Sequence, residues 1–309
     1  MLTIKPHVPL APLTTFKIGG PAEFYVAVST IGELNEALDY AEKNQLRVFV
    51  LAGGSNLLIA DKGVSGLVIH LRNESARAHQ STILADAGAK LLSVVELATK
   101  HSLAGMERLA GIPGSLGGAI RGNAGAFGME IGDVVKSVKI YDRKESRLRD
   151  FAQSQCEFTY RSSYFKLHPE IVILSAELSL KPGYQEELAQ INHDTIAKRE
   201  AKHPQTAQCA GSFFMNPVVK NEKLHAEFQK DIGVPSKDGK LPAGWLIDHV
   251  GLRGKKIGGA QVSPQHPNYF VNTGHATAED VIMLASLVKQ RVRTELGVEL
   301  REEVQLVGF

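Results

Sequence analysis

The sequence predicts an α+β protein of more than one domain, and three observations predict it. The chain has 309 residues, beyond the size at which a single hydrophobic core keeps growing. Amphipathic helical segments alternate with short apolar strands through its first half. Past a polar helical stretch at 184–202 the alternation begins afresh, which marks a second domain.

The elements follow in order. Ile31, Leu34, Leu38 and Ala41 recur at helical spacing and predict a helix over 31–44, with "RVFVLA" (47–52) following as a buried strand. "LLIA" and "SGLVIHL" read as further strands, and "AKLLSVVELATKHS" (89–102) as a second amphipathic helix. The stretch 137–151, "SVKIYDRKESRLRDF", predicts a hairpin that turns at its charged residues, and "IVILSAELSL" (171–180) a strand. The polar helix 184–202 is read as a domain connector. Beyond it lie "GSFFMNP", a short helix at 243–250 and a long one at 278–296. Thr277, with Asp280 three residues on, caps the long helix as a capping box, and Gly297 ends it. A terminal strand is expected over 298–307. No internal repeat or low-complexity segment is present.

Composition narrows the function. Thirty-five basic residues against 33 acidic ones leave a net charge of +2, which argues against a general binder of nucleic acid or of membrane surfaces. Cys156 and Cys209 are far apart and match no metal spacing, so free thiols in a reducing compartment are expected. The N-terminus lacks an apolar signal region and no run approaches a membrane span, so the reading is cytoplasmic.

Glycine is concentrated in two places. "LAGGSNLLIAD" (51–61) runs from a strand into Gly53, Gly54, Ser55 and Asn56, where missing side chains let backbone N–H groups approach an anion. "AGIPGSLGGAIRGNAGAFG" (110–128) is too glycine-rich for an ordinary helix and too apolar for a linker. Neither is a Walker A loop or a G-x-G-x-x-G fingerprint. What fits is a cofactor with a pyrophosphate and a large flat ring, held by backbone rather than by charge. "CAGSFFMNP" (209–217) places Ser212 before two phenylalanines; Phe214 stands where a nucleophile elbow needs glycine, which excludes that reading. A serine that satisfies a nearby turn is the plain alternative.

The ordered set "LAGGSNLLIADKGVSGLVI", "GIPGSLGGAIRGNAGAFG", "YRSSYFK" and "GSFFMNP" resembles the UDP-N-acetylenolpyruvoylglucosamine reductase (MurB) family. "TTFKIGGPAEF", "AGWLIDHVGLRGKKIGGAQVSPQHPNYFVN" and "LREEV" extend the likeness over nearly the whole chain. The resemblance implies a bipartite FAD-binding region of the vanillyl-alcohol oxidase (PCMH) type (1–66 and 67–183), the connector, and a smaller α+β substrate domain (203–309). It implies non-covalent FAD, NADPH as co-substrate, and reduction of UDP-N-acetyl-3-O-(1-carboxyvinyl)-glucosamine to UDP-N-acetylmuramate for peptidoglycan. Catalytic roles fall on Ser212, Arg161 and Glu303, and substrate contacts on Asn216 and Lys202. Flavin contacts fall on Gly53, Gly54, Ser55, Asn56 and Leu57, and on Gly114, Ser115, Gly118, Ala119, Asn123, Ala124 and Gly125. A β-branched side chain at Gly118 is expected to block close approach of backbone to the pyrophosphate and to be penalised by any positive φ there. Only a short stretch joins Lys166 to the strand at 171, so the chain resembles the shorter subtype without a clamping tyrosine.

The chemistry suits these residue types. Hydride addition to an enolpyruvyl ether drives charge onto its carboxylate, and the neighbouring carbon then needs a proton. Arg161 offers a cationic fork, a protonated Glu303 a further hydrogen bond, and Ser212 the proton, with its phenylalanine neighbours excluding water. Parity along the terminal strand instead nominates Glu302 as the buried carboxyl, since it shares a face with Val298, Leu300, Val304 and Leu306. Arg161 as a surface ion-pair partner, a flavoenzyme acting on another substrate, and a non-catalytic nucleotide binder remain the competing readings.

Overall fold

A computed structural model describes residues 2–202 and 207–309; the side chain of Lys202 and the boundary expected at 203 lie outside the described residues. The chain divides into two compact units. One comprises residues up to Val8, Ala22–Gly54 and Ser65–Ala201; the other comprises Pro9–Pro21, Ser55–Val64 and the chain from Lys202 onward.

Two larger sheets dominate the first unit. Strands Lys5–Pro9, Pro21–Val28, Val64–Leu71 and Val48–Leu51 lie in that order, the last two parallel with Val48 opposite Leu67. An antiparallel five-stranded sheet runs Arg147–Ala152, Val135–Asp142, Ile171–Ser179, Thr82–Asp86, Ala76–His79. The expected hairpin turns where Asp142 accepts from the N–H groups of Lys144 and Glu145, an Asx turn. Helix Ile31–Lys43 buries Leu34 and Ala41 of its predicted stripe, with Leu38 partly buried and Ile31 exposed, and helix Leu91–Lys100 buries Leu91, Val94, Val95 and Ala98. Their apolar faces and both sheets share one core, in which Val26, Leu67, Val94, Ile120, Val138 and Leu174 meet. Strand Val64–Leu71 runs through the 66/67 division read from the sequence.

Helix Gln185–Lys202 is docked along its length. Leu188, Asn192 and Thr195 are buried, and the Asn192 amide donates to Thr99 Oγ1 on helix Leu91–Lys100 at 2.8 Å. Helices Tyr164–Leu167 and Glu222–Ile232 were not expected, nor was Leu116–Gly122, which forms within the second glycine cluster, capped by Ser115. The glycines that should weaken it are tolerated because tertiary packing demands one of them, since a Cβ on Gly117 would lie 2.8 Å from that of Ala87.

In the second unit, strands Cys209–Ser212, Tyr269–Asn272, Ala260–Val262 and Lys256–Ile257 form an antiparallel sheet in that order. Helix Ala278–Leu296 packs Val281, Leu284, Ala285, Val288 and Val292 into this unit's core, with the Thr277–Asp280 capping box present and Gly297 left-handed. Phe16, Ile18 and Leu58, from the two early segments, join the same core. Strand Leu57–Ile59 pairs in parallel with Gln305–Val307.

The terminal strand is shorter than expected. Only Gln305–Val307 is regular, after a bend at Val304. The Phe213 carbonyl accepts from both Glu303 N (2.8 Å) and Val304 N (3.4 Å), so one extra residue is taken up there and the alternation shifts. Leu306 is consequently exposed and Val307 buried.

Asp61, on the segment after Leu57–Ile59, accepts from the N–H groups of Ala278 (2.9 Å) and Glu279 (3.2 Å), the start of the long helix. Asp61→Ala removes both bonds. It is expected to cost about 1 kcal/mol, seen as a fall of roughly 2–4 °C in the melting midpoint; an unchanged midpoint would show the cap to be dispensable.

Candidate active site

The two glycine loops meet within the first unit. A Cβ built on Gly53 would lie 2.6 Å from the Ser115 nitrogen and 2.7 Å from Gly114 Cα, so only glycine lets these backbones touch. Gly114 adopts φ +114°, a conformation closed to ordinary L side chains. The backbone N–H groups of Gly53, Gly54 and Ser115 have no acceptor among the described residues. A contact of bare backbones with unengaged donors suits a pyrophosphate.

The second loop then winds into its helix. Ser115 is buried and its hydroxyl accepts from Gly118 N at 3.3 Å. Gly118 is helical, not at positive φ, and a Cβ there would meet only Ser115 Oγ at 3.4 Å. The expectation of strain at Gly118 is therefore corrected: Gly53 and Gly114 carry the steric requirement. Ala119 is buried, and its carbonyl accepts from Ala124 N at 2.8 Å. Asn123 ends the helix in the left-handed conformation and is 1 % exposed. Its amide donates to Glu130 Oε2 (2.6 Å) and to the Thr159 carbonyl (2.9 Å), and its Oδ1 accepts from Gly132 N (3.1 Å). Any contact of Asn123 with a cofactor would be through backbone.

Arg161 sits in the same unit on a strained turn. Its φ is +57°, costly for a non-glycine residue and found where a site imposes it. Reciprocal bonds between Thr159 and Ser162 close the turn, and Lys166 Nζ donates to the Arg161 carbonyl at 2.8 Å. The guanidinium donates to the Gly125 carbonyl at 2.9 Å and lies 3.9 Å from Glu130 Oε1. Arg161 is thus both paired with the Glu130 carboxylate and oriented by the glycine segment. Three residues, His168, Pro169 and Glu170, join helix Tyr164–Leu167 to the strand beginning at Ile171, with no inserted loop.

Ser212 and Glu303 are brought together in the second unit. Ser212 ends strand Cys209–Ser212, opposite Tyr269. The next residue, Phe213, pairs through its carbonyl with Glu303 N, Phe214 bridges Glu302, and Met215 N donates to the Arg301 carbonyl. The Ser212 hydroxyl has no hydrogen-bond partner among the described residues, so the turn-serine reading fails. Phe213 and Phe214 do not shield it as expected; they turn into the core and pack on Phe270, Phe213 stacked at 4.5 Å. They anchor the serine from below.

The parity nominee Glu302 is paired with Lys289 Nζ at 2.8 Å. Asn216 Oδ1 accepts from Ala243 N (3.0 Å), leaving its amide donors unengaged among the described residues. Asn56 is bound to the glutamate's segment: its amide donates to the Glu303 carbonyl (3.1 Å) and its carbonyl accepts from Gln305 N (3.1 Å). Leu57 pairs opposite Gln305. The Ser55 and Cys209 carbonyls both accept from the Thr15 hydroxyl, at 3.3 and 2.7 Å. Sequence reasoning missed Thr15 and Asn268, whose partners are distant in the chain, and Glu130, which sits between Asn123 and Arg161. Burial pushes the Cys156 thiol up to about 11 and raises that of Cys209, so both are held as unreactive thiols.

Residues 22–150 match the family model of an FAD binding domain, and residues 203–307 that of the UDP-N-acetylenolpyruvoylglucosamine reductase C-terminal domain. The chain is similar to the UDP-N-acetylenolpyruvoylglucosamine reductase of Solibacter usitatus, 37% identical over 99% of this chain and 97% of the relative. The enzyme of that name from Gloeobacter violaceus is 35% identical over 99% and 96%. The crystal structure of UDP-N-acetylenolpyruvylglucosamine reductase from Thermus caldophilus matches with a TM-score of 0.79 at 30% identity, covering 99% of this chain and all of that one.

The loop contact makes a graded prediction. Gly53→Ala forces the two backbones apart and should purify with little flavin, whereas Gly118→Ala should keep near-full occupancy, as read from absorbance per chain. Equal occupancy in both variants would contradict the steric assignment.

Proposed function

We propose that this chain, which belongs to the UDP-N-acetylenolpyruvoylglucosamine reductase family, delivers a proton from Ser212 to a substrate whose carboxylate is steadied by Arg161 and Glu303. The chain is an FAD-dependent oxidoreductase that reduces UDP-N-acetyl-3-O-(1-carboxyvinyl)-glucosamine to UDP-N-acetylmuramate in peptidoglycan synthesis, with NADPH as co-substrate. The observation that supports the proton role is the Ser212 hydroxyl itself: unengaged, on a backbone held from both sides.

We assign FAD to 1–66 and 67–183, through Gly53, Gly54, Ser55, Asn56 and Leu57 and through Gly114, Ser115, Gly118, Ala119, Asn123, Ala124 and Gly125, and the sugar nucleotide to 203–309. Bound non-covalently there, FAD supplies the hydride that NADPH provides. Arg161 receives the charge that builds on the enolpyruvyl carboxylate, with its guanidinium already oriented by the Gly125 carbonyl. Glu303, protonated, adds a hydrogen bond to the same oxygens. Ser212 gives its proton to the adjacent carbon. Asn216 contributes free amide donors to the sugar nucleotide, and Lys202 is assigned there by family position. No helix among the described residues is long and apolar enough to cross a membrane, and the small net charge fits a cytoplasmic enzyme of small molecules that binds neither nucleic acid nor lipid surfaces.

Rapid mixing tests these roles. In Ser212→Ala, bleaching of the flavin by NADPH should stay within a few-fold of wild type, while colour recovery on adding the enolpyruvyl nucleotide should slow by about 10²–10⁴-fold, or roughly 3 to 5 kcal/mol of barrier. Unchanged recovery would remove Ser212 from the chemistry. Recovery in the wild type with unrelated enones, but not with the enolpyruvyl nucleotide, would favour another substrate.

The two glutamates separate in the same assay. Glu303→Gln should slow recovery at least tenfold, and Glu302→Gln, which alters only the contact to Lys289, should leave it within about twofold. The reverse order would restore the parity reading.

A further inference from the structure

We propose that Asn268 is a positioning residue for both Ser212 and Glu303. Asn268 is 2 % exposed, and every polar atom of its side chain is engaged with one residue. Its Oδ1 accepts from Phe214 N at 3.0 Å, and its Nδ2 donates to the Phe214 carbonyl at 2.8 Å. Its own backbone carbonyl accepts from Phe213 N at 2.7 Å.

Ser212 stands opposite Tyr269, and the register shifts between Cys209 and Ser212. Past Ser212, the Phe213 N–H reaches the Asn268 backbone carbonyl, and both backbone groups of Phe214 then turn to the Asn268 side chain. The asparagine amide, with one donor and one acceptor at the spacing of a peptide group, supplies that rung. It thereby extends the ladder beyond the strand and holds Phe213 and Phe214 in one conformation.

What those residues carry makes the clamp functional. Ser212 precedes them directly. Glu303 hangs by its N–H from the Phe213 carbonyl, with Glu302 bridged to Phe214. One buried amide therefore sets the backbone of the proton donor and of the carboxyl together, a degree of control that reaction geometry rewards, since a displacement of about 1 Å can cost on the order of 10²-fold.

The inference rests on the proton-donor reading of Ser212, and the test keeps the two apart. Asn268→Asp preserves shape and the acceptor but turns the donor into a second oxygen facing a carbonyl; Asn268→Ser keeps at most one bond in a smaller side chain. Each should retain flavin, bleach with NADPH within about twofold of wild type, and bind the enolpyruvyl nucleotide in calorimetry with unchanged affinity. Colour recovery should slow by about 10–100-fold. Placed on a Ser212→Ala/Glu303→Gln double variant, the same substitutions should slow recovery no further than about twofold, because both groups they position are gone. If Ser212→Ala is slow and the Asn268 variants are not, the positioning role is overturned while the proton-donor reading stands. If Ser212→Ala itself recovers normally, the parent reading falls. Loss of flavin, or equal slowing of both steps in the two variants, would mean that Asn268 only holds the fold and would overturn the proposal.

Discussion

The Phe213 carbonyl accepts two successive N–H groups, from Glu303 and Val304, and the arrangement of the second unit follows from that pairing. It fixes the terminal segment against the one that carries Ser212. It also absorbs a residue, so that Val304 and Val307 both face the core and Leu306 does not. Strand Gln305–Val307 is then in register to pair with Leu57–Ile59, whose following residue pair, Ala60 and Asp61, ends at the N-terminus of the long helix through the Asp61 carboxylate. Chain segments separated by more than two hundred positions are tied by backbone and short side chains.

The first unit solves a different problem with the same means. Its glycine loops approach so closely that no Cβ fits at Gly53, which leaves peptide N–H groups rather than lysine or arginine side chains to meet an anion. Arg161 is oriented by the end of the same glycine segment, through the Gly125 carbonyl, and is held in a conformation that an unconstrained chain would leave. Backbone contacts cost little side-chain entropy and are rigid once formed, which suits a large cofactor bound throughout a catalytic cycle.

Local patterns were legible wherever the physics is local. The helices over 31–43 and 91–100, the capping box at Thr277 and the charged hairpin turn at Asp142 each depend on residues within a few positions of one another, and spacing alone reveals them. The strand over 298–307 was misread because its alternation is reset by a carbonyl some ninety residues away. Gly118 was taken for a strained position because glycine content does not tell which glycine meets a neighbour; Ala87 and Ser115 decide that. Ser212, Arg161 and Glu303 were legible only as members of a familiar ordered set, since no spacing relates them. Asn268 carries no sequence signal of its own, because its partner Phe214 lies 54 positions away.

The central claim is that the backbone carrying Ser212 and Glu303 is a single clamped structure, and native-state hydrogen exchange measures it most directly. The amides of Phe214 and Glu303 should exchange as slowly as that of Val288 in the core of the long helix, and with the same dependence on denaturant, because they are released only when the whole unit opens. Fast exchange of either amide, independent of denaturant and comparable to that of exposed loop positions, would show that the clamp opens locally and would contradict the account.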